Sequence, residues 1–321
     1  MSTPARPSSR VGILLGGGVR EALMAQPLLR ACEGATVFAS PDALGTLLGL
    51  PSVGRAFVFD DSPRELLRVF TRLRTGPFGT IVVPFPAKFT HVALAYFSGL
   101  PRRLMLGAVN DWAASERVSA AGRLHPVEAN WRLAAAASQR PVLAPGEPPR
   151  LQPPDAVRNQ ATARWPAFLG GGRRPLVLIP GGGNWARGRS GPIWPAERFA
   201  VVANQSMAER IVLLSGVADA AAVRETRAGI AKPTAVVNLA DMTVEEVAVL
   251  SELSLGVVGH DGDALYVAAA AGALVVAIAN PSDIAPMGER VVTLRQDDFE
   301  RLPARQVMEA FTKQARVDTY A

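Results

Sequence analysis

Cysteine and lysine are nearly absent from these 321 residues, and each scarcity excludes something. The single cysteine, Cys32, cannot close an internal disulfide, and its apolar helical setting reads as the core of a cytosolic protein. Lysine occurs only as Lys88, Lys232 and Lys313, so arginine carries nearly all of the basic charge behind the formal +6. Arginine's planar fork suits bidentate contact with phosphate and carboxylate, which favours acidic ligands. Aromatic residues make up only 6% of the chain and do not interleave with basic runs, which argues against nucleic acid. The three histidines show no zinc-like spacing, and no metal site is expected. Long hydrophobic runs are missing too. The longest, residues 264–279, is alanine-rich, broken by Gly272 and shorter than the ~20 residues that span a bilayer. Residues 1–10 lack an apolar centre, so no secretory signal is expected and the chain reads as soluble.

What is present is a 49% hydrophobic chain, long enough for two domains of about 150 residues each. Two short apolar runs each lead into a triple glycine: residues 11–15 into Gly16, Gly17 and Gly18, and residues 175–180 into Gly181, Gly182 and Gly183. Each run reads as a buried parallel strand, and glycine lets backbone N–H groups approach a ligand. Further strands are expected at 36–39, 56–60, 80–84 and 103–106, then at 176–180, 210–215, 235–239, 255–259 and 273–277. Helical patterns fall between them, at 21–31 and 64–73 among others. Ser62-Pro63 with Glu65, and Thr243 with Glu246, are helix-start signatures. This alternation implies parallel sheets with helices on both faces. A proline-rich linker, 141–154, divides 1–150 from 151–300, and a helix is expected at 155–168. Two doubly wound domains follow, with ligands beyond the carboxyl ends of their strands.

Three readings compete at the motifs. Gly16 to Gly18 invites a dinucleotide reading, but G-x-G-x-x-G needs glycine where Glu21 stands, and that carboxylate would repel a pyrophosphate. At a helix start Glu21 stays ionised and can serve as a general base, or it is a favourable first-turn acid and nothing more. Asp261-Gly-Asp263 can be read as a metal-binding pair, although its place between a strand and an alanine-rich helix suits a phosphate better. His260 abuts it and is expected near the cleft, whereas His91 and His125 read as helix-surface or structural residues. In Pro180-Gly-Gly-Gly-Asn-Trp-Ala-Arg187-Gly-Arg189, glycines followed by two arginines make a pyrophosphate clamp.

That segment, continued by Trp194-Pro-Ala-Glu-Arg-Phe199, resembles the family-nine glycosyltransferases, the bacterial ADP-heptose:lipopolysaccharide heptosyltransferases. The likeness runs along nearly the whole chain. Gly17-Gly-Val-Arg-Glu-Ala-Leu-Met-Ala-Gln-Pro27 is similar to the family's opening motif and sets Glu21 on its catalytic aspartate. Lys88, in Phe85-Pro-Ala-Lys-Phe-Thr90, falls where the family contacts an acidic acceptor. Leu239-Ala-Asp-Met242-Thr resembles the segment lining the adenine pocket. Val258-Gly-His-Asp261-Gly-Asp-Ala-Leu-Tyr266 and Asn280-Pro-Ser-Asp283 are similar to its later motifs. Departures are Glu21 for Asp, Arg20 for Gly, arginine for lysine at 187 or 189, Tyr266 for His, and Asp263 where glycine is expected.

The resemblance implies a GT-B α/β fold of two doubly wound Rossmann-like domains facing a central cleft, with residues 301–321 a helix packing back toward the first. It implies metal-independent, inverting transfer of a heptose-like sugar from an ADP-sugar to an acidic saccharide of lipopolysaccharide-core type, without a cofactor. Glu21, Arg187 and Arg189 would be catalytic. Gly181, Gly182, Gly183, Asn184, Met242, Asp261, Gly262, Asp263 and Tyr266 would hold the nucleotide-sugar, and Gly17, Gly18, Arg20 and Lys88 the acceptor. A cytoplasmic enzyme with peripheral contact at the inner membrane surface is expected. Alternatives are another nucleotide-sugar donor, a sugar-nucleotide epimerase, and a nucleotide-binding paralogue without turnover.

Overall fold

Short apolar runs separated by amphipathic stretches are built here into two α/β units. The computed structural model describes residues 10–48, 50, 52–107, 112–119, 124–138, 147–169, 174–186 and 191–317. The chain divides between Glu147 and Pro148, close to the expected boundary.

In the first unit, β1 (Arg10–Leu14), β2 (Ala35–Ala39), β3 (Val53–Val58), β4 (Phe78–Val82), β5 (Arg102–Leu106) and β6 (Glu116–Val118) form a parallel sheet ordered β3-β2-β1-β4-β5-β6. Its helices are α1 (Val19–Met24), α2 (Gln26–Ala31), α3 (Pro41–Leu48), α4 (Pro63–Thr75), α5 (Phe89–Phe97) and α6 (Pro126–Ser138). Successive strand residues point to opposite faces. Ile13, Val37, Val82 and Leu104 therefore meet α1, α2, α3 and α6, while Leu14, Phe38, Ile81 and Met105 meet α4 and α5. The single helix expected at 21–31 is two, because Pro27 opens α2 and cannot donate into the preceding turn. Ser62 caps α4 as expected, its Oγ accepting from Glu65 N–H at 3.5 Å.

The second unit repeats the plan. Strands β7 (Leu176–Ile179), β8 (Ile211–Ser215), β9 (Thr234–Asn238), β10 (Gly256–His260), β11 (Val275–Ala279) and β12 (Val291–Arg295) are ordered β12-β11-β10-β7-β8-β9, all parallel. Every residue of β7, β8, β10 and β11 is buried, which explains their continuous apolar sequences. Its helices are α7 (Asp155–Arg164), α8 (Pro166–Leu169), α9 (Ala196–Gln205), α10 (Ala220–Ala228), α11 (Val244–Leu253), α12 (Asp263–Ala270) and α13 (Ala304–Val317). The helix expected at 155–168 breaks at Pro166 for the same reason as at Pro27. Thr243 and Glu246 form the expected capping box on α11, with bonds of 2.9 and 3.2 Å. The tail helix α13 packs on α9, β11 and β12 and buries Val307 in the second unit's core.

Both sheets reverse direction once. From β1 the chain steps outward to β3 and then crosses to β4; from β7 it steps to β9 and crosses to β10. The loops after β1 and β4, and those after β7 and β10, therefore leave the carboxyl ends of neighbouring strands at the point where the strand order reverses, the crevice position where ligands bind in such sheets. In the first unit Asn130 of α6 braces that crevice. It is fully buried, accepts from Phe85 N–H at 2.8 Å, and donates to Phe85 O at 2.8 Å and Met24 O at 3.1 Å. Asn130→Ala would strand these groups in the interior and should cost about 2–4 kcal/mol of stability. Urea unfolding measures this; a change under about 0.5 kcal/mol would mean the loop re-satisfies its bonds without Asn130.

Candidate functional site

At the first crevice the glycine loop leaves β1 and turns into α1. Gly17 has φ +87, a left-handed conformation that suits glycine, and its carbonyl accepts from Ser40 Oγ at 2.5 Å. Glu21 folds back over this loop. Its Oε2 accepts from Gly18 N–H at 2.9 Å, and its Oε1 accepts from Arg20 Nε and Nη2 at 3.2 and 3.0 Å. Both side chains keep some exposure at the mouth of the crevice. Glu21 is thus an ionic partner and a helix-start acid at once, with its remaining lone pairs open to a donor.

Lys88 arrives from the other side, at the N-terminal end of α5, and its Cγ lies against Gly16 together with the His91 ring. Asp61, at the end of the loop after β3, ties the two together. Lys88 Nζ donates to Asp61 Oδ2 at 2.6 Å, and His91 Nε2 lies 3.2 Å from Asp61 Oδ1. His91 is buried beneath the loop, where a helix-surface place had been one expectation. Burial raises the Asp61 pKa, but hydrogen bonds and charge from Lys88 and His91 outweigh it and hold the carboxyl below its usual value. Burial pushes His91 below the ordinary histidine value, and Asp61 offsets this only in part. His125 is structural as expected, its Nδ1 accepting from Val127 N–H at 3.2 Å at the start of α6.

In the second unit the loops after β7 and β10 are in backbone contact. Gly262 has extended backbone, yet a Cβ there would run into the Gly182 carbonyl, so glycine is required by space alone. Asn184 fastens the pair: its Oδ1 accepts from Asp263 N–H at 2.9 Å, and Ala264 N–H donates to Gly183 O at 2.9 Å. Trp185 Nε1 donates to Met242 O at 3.2 Å, bringing in the turn after β9. Tyr266, buried in α12, donates its hydroxyl to Ile284 O. Arg295 of β12 then holds the carbonyls of Asn280, Pro281 and Asp283 at 3.1, 3.3 and 2.9 Å.

Two N–H groups of the second glycine loop, those of Gly182 and Gly183, are already occupied. The buried carboxylate of Asp219 accepts from Gly182 N–H at 2.8 Å, Gly183 N–H at 2.9 Å and Gly216 N–H at 2.8 Å. An internal anion thus stands on the amides that glycine was expected to offer a ligand, because three converging N–H dipoles suit a fixed carboxylate as well as a phosphate. His260 is also corrected. It lies in the core rather than at a cleft, its Nε2 accepting from Trp194 N–H at 2.7 Å with Phe199 and Phe299 beside the ring.

Gly17, Gly18, Arg20, Glu21 and Lys88 therefore gather at the first crevice. Gly181, Gly182, Gly183, Asn184, Met242, Asp261, Gly262, Asp263 and Tyr266 gather on loops and a helix start at the carboxyl end of the second sheet. Arg187 and Arg189 lie outside the described residues. Asp61, His91, Ser40 and Asp219 were not foreseen. A buried acid or histidine leaves no local sequence signal when its partner comes from a distant loop.

The sequence model of glycosyltransferase family 9 (heptosyltransferase) matches residues 95–314, more than half of the chain. No curated protein matches the chain in sequence. Among solved structures, the chain is similar to a family 9 glycosyl transferase from Veillonella parvula DSM 2008, with TM-score 0.79 and 15% identity over 96% of this chain and 97% of the other. It is similar to the E. coli ADP-heptose lps heptosyltransferase II, with TM-score 0.74 and 19% identity over 97% and 99%. The E. coli heptosyltransferase WaaC with ADP-2-deoxy-2-fluoro heptose matches with TM-score 0.70 and 17% identity over 95% and 99%.

The Asp61–His91 pair sets an acid limit on stability. His91 has its pKa lowered from 6.5 and Asp61 from 3.8, so in each window the unfolded chain binds more protons. The His91 contribution is complete above about pH 6.5 and is lost as pH falls through its folded value; that of Asp61 is lost below about pH 3.8. Thermal melts should therefore drop as pH falls below about 6.5, and His91→Gln should flatten that drop. An unchanged slope in the variant would assign the acid sensitivity to other groups.

Proposed function

The chain belongs to glycosyltransferase family 9, the heptosyltransferases, and on that premise we propose that it moves a heptose-like sugar from an ADP-sugar to an acidic saccharide of lipopolysaccharide-core type. The observation that carries the reading is the clustering of the motif residues at the carboxyl ends of two sheets of identical strand order. The neighbouring WaaC structure contains an ADP-heptose analogue, which supports the same donor class here. We assign the acceptor to the first unit and the donor to the second.

In the proposed reaction Glu21 removes the proton of the acceptor hydroxyl as that oxygen attacks the anomeric carbon. The bond from that carbon to the pyrophosphate oxygen breaks, its electron pair leaves with ADP, and the new glycosidic bond has inverted configuration. Arg20 keeps the Glu21 carboxylate aimed, while lone pairs not used by Gly18 and Arg20 accept the proton. Because Asp219 occupies the amides of Gly182 and Gly183, we assign charge neutralisation on the leaving ADP chiefly to Arg187 and Arg189. No metal or cofactor takes part in this scheme. Lys88 contacts the acidic acceptor, and Asp61 keeps its ammonium beside the loop until the acceptor anion competes for it. The reaction runs on the cytoplasmic side, with peripheral membrane contact where the acceptor is a glycolipid.

Three measurements test this scheme. ADP-sugars, and not GDP- or UDP-sugars, should raise the melting temperature, since a ligand that binds only the folded state stabilises it; equal response to all three would remove the adenine assignment. Lys88→Ala should raise the acceptor KM well beyond any change in donor KM, and a matched effect on both would take Lys88 out of the acceptor site. Glu21→Gln keeps the shape and removes the base, so kcat should fall by a factor on the order of 10²–10⁴ with nucleotide affinity nearly intact. Wild-type turnover by this variant would leave Glu21 as a helix-start acid only.

A further inference from the structure

Four aromatic side chains lie on the outside of the first unit, in a chain that has few. Phe89, Tyr96 and Phe97 are 73, 43 and 64% exposed, and Trp112 is 49% exposed. They are contiguous. The Trp112 ring lies 6.3 Å from Phe89 and 5.1 Å from Tyr96, and Tyr96 lies 5.2 Å from Phe97. Positions 89, 96 and 97 recur at helical spacing on one side of α5, while His91, Val92 and Ala95 face inward. Singly exposed apolar residues need no explanation, but a joined aromatic strip marks a contact surface.

The neighbouring helix supplies charge. Helix α4 shares the core under α5 through Val69 and Leu73. Its outer side carries Arg64, Arg68 and Arg72 at intervals of four, with Arg74 near its end and Leu67 64% exposed among them. Glu65 is its one acid. The imbalance extends to the whole unit: residues 1–147 hold sixteen basic and ten acidic side chains, whereas residues 148–321 hold eighteen of each. The entire formal charge of +6 thus belongs to the unit that bears the aromatic strip.

We infer that the outer sides of α4 and α5, with Trp112, dock on an anionic lipid bilayer. Tryptophan and tyrosine rings suit the headgroup level, phenylalanine and leucine enter the acyl boundary, and arginines are drawn by the negative surface potential. No described helix is long and apolar enough to cross a membrane, so the contact is peripheral. This deepens the proposed use of a glycolipid acceptor and rests on that reading only for why a bilayer is at hand.

The full chain is sedimented with phosphatidylcholine vesicles and with vesicles containing about 30 mol% phosphatidylglycerol, at low and high salt. Binding should require the anionic lipid and weaken with salt. Tyr96→Ser with Phe97→Ser, and separately Arg64→Ser with Arg72→Ser, should each lower vesicle affinity about tenfold or more. Both should keep the wild-type melt and wild-type transfer to a water-soluble saccharide acceptor. As a second readout, an environment-sensitive dye is placed at Phe97→Cys, and at Met207→Cys on the second unit as control. The native Cys32 stays unlabelled because it is buried and its thiol is pushed up to about 11. The dye should shift to the blue on anionic vesicles at position 97 and not at 207. Equal binding to neutral vesicles, wild-type affinity in both variants, or equal shifts at the two labels would overturn the inference. So would a dimer that Tyr96→Ser with Phe97→Ser dissolves, which would name a second copy as the occupant. Lost transfer with vesicle binding intact would instead remove the transferase reading and leave this surface standing.

Discussion

A parallel strand can be reached from its neighbour only by a crossover, and crossovers have one hand. Everything at the candidate site depends on that constraint. A sheet that starts in its middle must grow to one edge, return, and grow to the other. The crossovers on either side of the starting strand then leave in opposite directions, and the loops at its carboxyl end meet there as a pair. Here this happens twice, at β1/β4 and at β7/β10. The glycine loops stand at those two places because the backbone must turn sharply there beside a second loop, as the contact of Gly262 with the Gly182 carbonyl makes plain.

Acidic side chains organise both crevices from inside. Glu21 closes on the Gly18 amide and Arg20, Asp61 joins Lys88 to His91, and Asp219 gathers three loop amides. Glu246 does comparable work away from the crevice, capping α11 while taking Arg164 at 2.9 and 3.1 Å. Each carboxylate has more than one partner, which is the condition under which a partly buried charge is tolerated. The scarcity of lysine fits this economy. Arginine meets two acceptors at once, whereas Lys88 offers a point charge, here set on Asp61.

The two units share a topology and differ in surface. The second is charge-balanced; the first holds the excess of arginine and the exposed aromatic strip. One fold thereby carries two different surfaces, since strand order fixes where the loops lie while outward-facing residues on the helices stay free to vary.

Much of this was legible in the chain itself. All ten expected strands overlap observed ones by at least three residues, with ends displaced by up to three positions. Buried parallel strands are short continuous apolar runs, and capping boxes lie within four residues, so both are local signals. Edge strand β6, Glu116–Val118, carries no apolar run, whereas β12 begins Val-Val-Thr-Leu and carries a readable one. The breaks at Pro27 and Pro166 were readable and overlooked. The internal ionic pairs were not readable: Asp61 reaches Lys88 and His91 across 27 and 30 positions, and Asp219 reaches Gly182 across 37. Composition and spacing determined the element types and the two-unit plan, because those follow from periodicity, while the family entered through the likeness of its short motifs to known ones. Which carboxylate sits on which amide, and that His260 belongs to the core, only the tertiary structure decided, because such pairings arise when crossovers bring distant loops to one sheet end.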